Sequence, residues 1–119
     1  MNTNPEKSVF TRIIERELPA EILFETDEII VIKSIQPLAP VHLLGITKHP
    51  YLSMHALLDD DNRERVLWHL GKGLHFVAEK LGLDKTGYRL VTNIGINAGQ
   101  EVPHLHIHLL GGAPLGAIT

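Results

Sequence analysis

The run His104-Leu105-His106-Ile107-His108 sets three imidazoles at alternate positions. In an extended strand successive side chains point to opposite faces, so this spacing predicts all three rings on one face. Leu105, Ile107 and Leu109 would then point the other way, into a core. Histidine is the side chain whose ordinary pKa, about 6.5, lies near neutral pH. One histidine on a solvated strand face would signify nothing. Three in a row, with Gly99 upstream and Gly111-Gly112 just after, point to chemistry.

Two chemistries fit the residue types. His104 and His106 could chelate one cation as an i, i+2 pair, with zinc about 2.0–2.1 Å from each ring nitrogen. His104 and His108 lie about 13 Å apart along a strand at roughly 3.3 Å per residue, so all three do not easily converge on one tetrahedral centre. A metal site would need His49 or another distant residue as third ligand. The sequence permits that and does not demand it. Nucleophilic catalysis uses the row better. A central imidazole, His106, can attack phosphorus through one ring nitrogen if the other donates a hydrogen bond that fixes the tautomer. A backbone carbonyl can accept that bond at no charge cost. The flanking histidines can donate to phosphoryl oxygens, where charge accumulates, and backbone N–H groups of Gly99-Gln100-Glu101-Val102 could reach the same oxygens. The reaction splits into two displacements through a phosphorus–nitrogen linked intermediate that water hydrolyses, and it requires no metal cofactor.

The elements that must hold these rings are legible around them. Residues 1–7 read as a loose polar tail and 8–119 as a single domain. Ser8 can cap a short helix in which Val9, Phe10, Ile13 and Ile14 recur at helical spacing, before Pro19 stops it. Strands are predicted over 22–25 and 29–32, joined by the turn-prone Thr26-Asp27-Glu28. Pro37 and Pro40 make 34–40 a loop, and 41–46 resumes as a largely apolar strand. Asp59-Asp60-Asp61 is predicted to open the longest helix, with one aspartate as its cap. Val66, Leu70, Leu74, Val77 and Leu81 would form its buried stripe, and Gly82 would end it. Gly71 and Gly73 inside that helix each cost up to about 1 kcal/mol relative to alanine, which suggests close approach of another backbone, such as a subunit interface. Strands are expected over 88–93 and from Pro103 or His104 to Leu110. The order predicts an α+β fold, an antiparallel sheet with helices covering one face.

Composition bounds the rest. The 119 residues are 44% hydrophobic and 21% charged, with formal net charge -3 and no cysteine. That is ordinary for one globular domain and excludes disulfides and thiolate metal sites. No Lys/Arg cluster suggests nucleic-acid binding. No apolar run approaches the roughly 20 residues of a membrane helix, and the polar start lacks a signal core, so the expectation is a cytoplasmic protein.

Read together, His104-Leu105-His106-Ile107-His108-Leu109-Leu110, Phe10-Thr11-Arg12-Ile13-Ile14, Pro37-Leu38-Ala39-Pro40-Val41-His42, Gly87 to Asn93 and Gly99-Gln100-Glu101-Val102 resemble, in order, the motifs of the histidine triad (HIT) family, in its Hint branch. The resemblance implies a five-stranded antiparallel sheet with a short N-terminal helix and one long helix. It implies a homodimer whose sheets join into one, and hydrolysis of purine nucleoside 5′-phosphoramidates or other activated nucleotides. Dinucleoside polyphosphate hydrolysis, or capture of a nucleotide or zinc without turnover, are the alternatives. By position His106 matches the nucleophile. His108 and Asn93 match phosphate-contacting residues, as does the backbone around Gln100, Glu101 and Val102. His104 and His49 match supporting histidines, and Phe10, Ile32 and Ile35 match apolar positions around base and ribose. His42, His55, His69 and His75 carry no signal and read as structural or exposed. The chain departs from the family pattern at Thr47, Pro103 and Ala113 and, where an aspartate usually holds the ribose hydroxyls, at Ser34. Hydrogen bonds to charged groups contribute about 1.5–3 kcal/mol against roughly 1 for neutral ones, so weaker nucleoside binding is expected.

Overall fold

The computed structural model describes residues 7–118; the expected tail over 1–7 therefore lies outside the described residues except for Lys7, whose ammonium pairs with Glu15 and Glu17. Helix α1 spans Val9–Ile14, and strands β1 (Ile22–Glu25), β2 (Ile29–Lys33) and β3 (Val41–Thr47) follow. Then come helices α2 (Met54–Leu58), α3 (Arg63–Lys80) and α4 (Leu83–Thr86), and strands β4 (Tyr88–Val91) and β5 (His106–Gly111). The five strands form one sheet in the order β1-β2-β3-β5-β4, every pairing antiparallel.

The sheet is covered on both faces, which corrects the expectation of helices on one face only. On one side Val66, Leu70, Leu74 and Val77 of α3 pack with Ile29, Val31, Leu43, Leu105 and Leu109. On the other, Phe10 and Ile13 of α1 pack with Ile30, Ile32, Leu44 and Ile46. Strict alternation in β2 and β3 sends consecutive apolar residues to opposite faces, so a continuous apolar run is what a strand buried on both sides requires.

The long helix begins later than the aspartates suggest. Asp60 does not cap it: its carboxylate accepts from Tyr51 Oη (2.9 Å) and from the Asn62 N–H (2.9 Å), tying the approach loop to the chain before α2. The short helix α2, capped by the Ser53 hydroxyl on Ala56 N–H, was not foreseen. Leu81 falls one residue past the end of α3 and is half exposed rather than part of the buried stripe.

The two helical glycines separate. A Cβ at Gly73 would lie 2.7 Å from Ile29 Cδ1 and 3.2 Å from the Phe24 ring, so α3 touches the sheet there because glycine leaves room. Across the interface Gly45 does the same for Leu74. Gly71 meets nothing within 4 Å. Gly73→Ala should therefore overpack the helix–sheet seam and lower the unfolding free energy by about 1–3 kcal/mol in chemical denaturation.

Candidate active site

Strand β5 does not carry all three histidines. It starts at His106, and the chain bends through residues 102–104 before it, with the His104 N–H donating to the Val102 carbonyl (2.8 Å). The Leu105 N–H donates to Tyr51 O (2.7 Å), away from the ladder. His104 lies just ahead of the strand yet keeps to the α1 face, its ring centroid 5.9 Å from that of Phe10. It is fully buried, with Nε2 2.7 Å from the Thr47 carbonyl and Nδ1 2.6 Å from Ser8 Oγ. Both ring nitrogens are engaged by protein atoms, so the i, i+2 chelating pair considered from spacing cannot form without breaking them.

His106 and His108 share a face as expected, their ring centroids 5.1 Å apart. They line a cavity of about 270 Å³ on the α1 side of the sheet. His106 Nδ1 lies 2.7 Å from the main-chain oxygen of His104, an acceptor only, so Nδ1 carries the hydrogen and Nε2 keeps a lone pair. The edge of Phe10 packs on the same ring at a centroid distance of 4.8 Å. That imidazole is fixed in tautomer and in orientation.

His108 is held by a residue that sequence reading set aside. The Leu38 N–H donates to His42 Nδ1 (3.0 Å), which leaves the hydrogen of the neutral His42 ring on Nε2. His42 Nε2 therefore donates to His108 Nδ1 (2.9 Å), and the hydrogen of His108 sits on Nε2, the nitrogen not engaged by His42. Burial lowers the pKa of His42. Burial, then the neighbouring His106 and His42, push His108 down to about 4. At neutral pH His108 is an uncharged donor. His42 had a detectable signal: it alternates with Leu44 and Ile46 on β3, and the register pairs Leu44 with His108 and Ile46 with His106. Its ring thus shares their face, one diagonal step from His108.

The remaining residues divide. Phe10, Ser34, Asn93, Gly99, Gln100, Glu101 and Val102 all line the cavity, together with Gln36, Leu38 and Leu44, which were not singled out. The Gln100 amide is occupied in bracing its own loop: Oε1 accepts from Gly95 N–H, and Nε2 donates to the carbonyls of Leu52 and Val102. Ser34 Oγ accepts from Gln36 N–H (3.2 Å) and keeps its own proton available. Three expected positions fall elsewhere. Ile32 is buried in the cluster beneath Phe10, and Ile35 is 91% exposed on the loop after β2. His49 stacks on Tyr51 (4.6 Å between centroids) and lines a separate polar cavity with Glu28, Asp60 and Arg65. The histidine that supports the pair in the triad cavity is His42.

Among the described residues no lysine or arginine lines the triad cavity, and its acidic residue is Glu101. Donors, not formal cations, must meet a bound anion there.

The site thus sets two imidazoles on one sheet face, one with its Nε2 unengaged by protein and one held as a neutral donor. Residues 15–115 match the HIT domain, and the chain belongs to that family. Among its relatives, purine nucleoside phosphoramidase of Escherichia coli K12 is 38% identical over 112 residues, 93% of this chain and 92% of that one. An uncharacterized HIT-like protein of Synechocystis is 42% identical over 109 residues, covering 92% and 93% of the two chains. A HIT family hydrolase from Clostridium thermocellum superposes with a TM-score of 0.88 at 44% identity, over 96% of this chain and 97% of that one. A histidine triad protein from Clostridium difficile gives 0.86 at 32% identity, covering 93% and 95%.

The depressed histidines link folding to pH. His108 drops from an ordinary 6.5 to about 4 in the folded chain, so the unfolded chain binds its proton more tightly. The stability carried by the neutral ring is complete above pH 6.5 and is lost as pH falls toward about 4. His42 and His104 shift the same way, and lowered carboxylates such as Glu25 act only nearer their ordinary 4.5. Urea unfolding at pH 7 and pH 5 should show lower stability at pH 5, with a smaller difference in His108→Gln.

Proposed function

We propose that the chain hydrolyses nucleoside 5′-phosphoramidates, purine forms above all, through a covalent intermediate on His106. The observation that carries this reading is the 2.7 Å contact between His106 Nδ1 and the His104 carbonyl, which leaves the Nε2 lone pair of a buried, immobilised ring at the cavity. In the first step Nε2 attacks the α-phosphorus, and the bond from phosphorus to the leaving nitrogen breaks as that nitrogen takes a proton from solvent and departs as the amine. In the second, water adds its hydroxide to phosphorus, its proton passes to solvent, and the phosphorus–Nε2 bond returns its electron pair to the ring. His108 Nε2–H donates to a phosphoryl oxygen throughout, with the Asn93 side chain beside it in the same cavity. No step calls for a metal cofactor. The named activity of the Escherichia coli relative supports the substrate class.

The lining favours this substrate over dinucleoside polyphosphates. A nucleoside 5′-phosphoramidate carries one negative charge at phosphorus, which neutral donors can meet; a polyphosphate chain carries several, for which the cavity lining offers no lysine or arginine among the described residues. Incubation with adenosine 5′-phosphoramidate should release AMP. Mass spectrometry after a brief exposure should find an added adenylyl group on His106. His106→Ala should lose roughly 10⁴-fold or more in kcat, as removal of a nucleophile does elsewhere. Full activity in that variant would remove His106 from the role.

The same reading includes a homodimer. β4 is an edge strand, Leu90 on it is half exposed, and Trp68 and Leu67 stand exposed on α3 beside the open space at Gly71. Unpaired backbone and uncovered apolar surface are what a second copy would satisfy. Gly71→Leu should shift the chain toward monomer in analytical ultracentrifugation while leaving its far-ultraviolet circular dichroism unchanged.

A further inference from the structure

Ser8 makes three contacts with one hydroxyl, the longest of them to Thr11 Oγ1 at 3.2 Å. Oγ accepts the Thr11 N–H (3.0 Å), the N-cap of α1 foreseen from the sequence, and it lies 2.6 Å from His104 Nδ1. Which atom holds the proton between Ser8 and His104 follows from the far side of the ring. Thr47 O can only accept, so His104 Nε2, 2.7 Å away, carries the hydrogen. Burial, and then the neighbouring His106 and His49, disfavour a second proton on His104, so Nδ1 is bare and needs a donor. Ser8 Oγ–H is the nearest; Thr11 Oγ1 stands further off at 3.3 Å.

The main chain of His104 continues the same line. Its N–H is held by Val102 O at 2.8 Å, and its carbonyl receives His106 Nδ1–H at 2.7 Å. The residue whose carbonyl fixes the His106 tautomer is thus anchored through its ring at two points, one on β3 and one at the start of α1. We propose that Ser8 is a positioning residue for His106: by donating to His104 Nδ1 it holds that ring and its main chain where the carbonyl meets His106 Nδ1. This rests on the reading of His106 as nucleophile given above. It assigns the N-terminal helix cap a part in catalysis that capping alone does not need.

The two duties can be separated by substitution. Aspartate caps helices about as well as serine, yet its ionised carboxylate can only accept, so it cannot donate to Nδ1. Alanine removes both functions, and threonine keeps both. Ser8→Ala and Ser8→Asp should each lower kcat for AMP release from adenosine 5′-phosphoramidate about tenfold, the scale of one buried hydrogen bond, with KM changed less than twofold. Ser8→Thr should restore it. Nitrogen-15 spectra of the histidine rings should show His104 protonated at Nε2 and His106 at Nδ1 in the natural chain. In Ser8→Ala and Ser8→Asp, His106 should lose its single tautomer. Wild-type kcat in Ser8→Asp, or a His106 tautomer unchanged in both the alanine and aspartate variants, would reduce Ser8 to a helix cap and overturn the proposal. The spectra need no turnover. A chain that failed to act on the phosphoramidate would remove the nucleophile reading, while the ring tautomers would still decide the role of Ser8.

Discussion

A main-chain carbonyl at residue 104 decides what the neighbouring imidazole can do. An oxygen that only accepts forces the hydrogen onto His106 Nδ1, and the opposite nitrogen is left electron-rich. A carboxylate in that place would do the same and add a charge that favours the protonated ring. A carbonyl sets the tautomer and adds no charge. The bend before β5 exists to make this contact: had the strand begun two residues earlier, the carbonyl would have been committed to the ladder or turned away from its i+2 side chain. The buried ring of His104, bonded on both sides, holds the bend in place.

The same logic repeats one step along the strand. A backbone N–H at Leu38 orients His42, and His42 orients His108, so a hydrogen bond from the proline-containing loop settles which nitrogen of His108 can reach a ligand. Each ring in the site has its tautomer set by a main-chain group, directly or through one intermediary. Such arrangements need no ionised partner, which is consistent with a cavity lined by neutral donors and with histidines whose pKa burial lowers.

Much of this was legible beforehand, for identifiable reasons. Period-two alternation placed His106 and His108 on one face and Leu109 on the other, because both lie inside a regular strand. The same rule placed His104 on that face too, although Pro103 lacks an N–H for the ladder and the strand starts only at His106. Helical spacing and the Ser8 cap located α1, and apolar periodicity located the buried side of α3. The start of α3 was misjudged because Asp60 bonds a distant tyrosine hydroxyl, a contact that local sequence does not encode. His42 escaped notice because histidines outside the motif were weighed singly; its meaning depends on β3 lying beside β5 in a definite register. Ile32, Ile35 and His49 came from the motif comparison alone; Ile32 sits in β2 beneath Phe10, Ile35 is exposed on the following loop, and His49 lines a separate cavity.

The sheet itself divides labour between its two sides. Most of the apolar mass, including α3, lies on the face away from the cavity, and the smaller cluster around α1 carries the imidazoles. Substitutions at well-separated positions with no shared partners tend to combine additively. The lining of the cavity is therefore free to drift toward new ligands while the opposite side keeps the chain folded. A scaffold of this kind can diversify its chemistry by small steps at little risk to its own integrity.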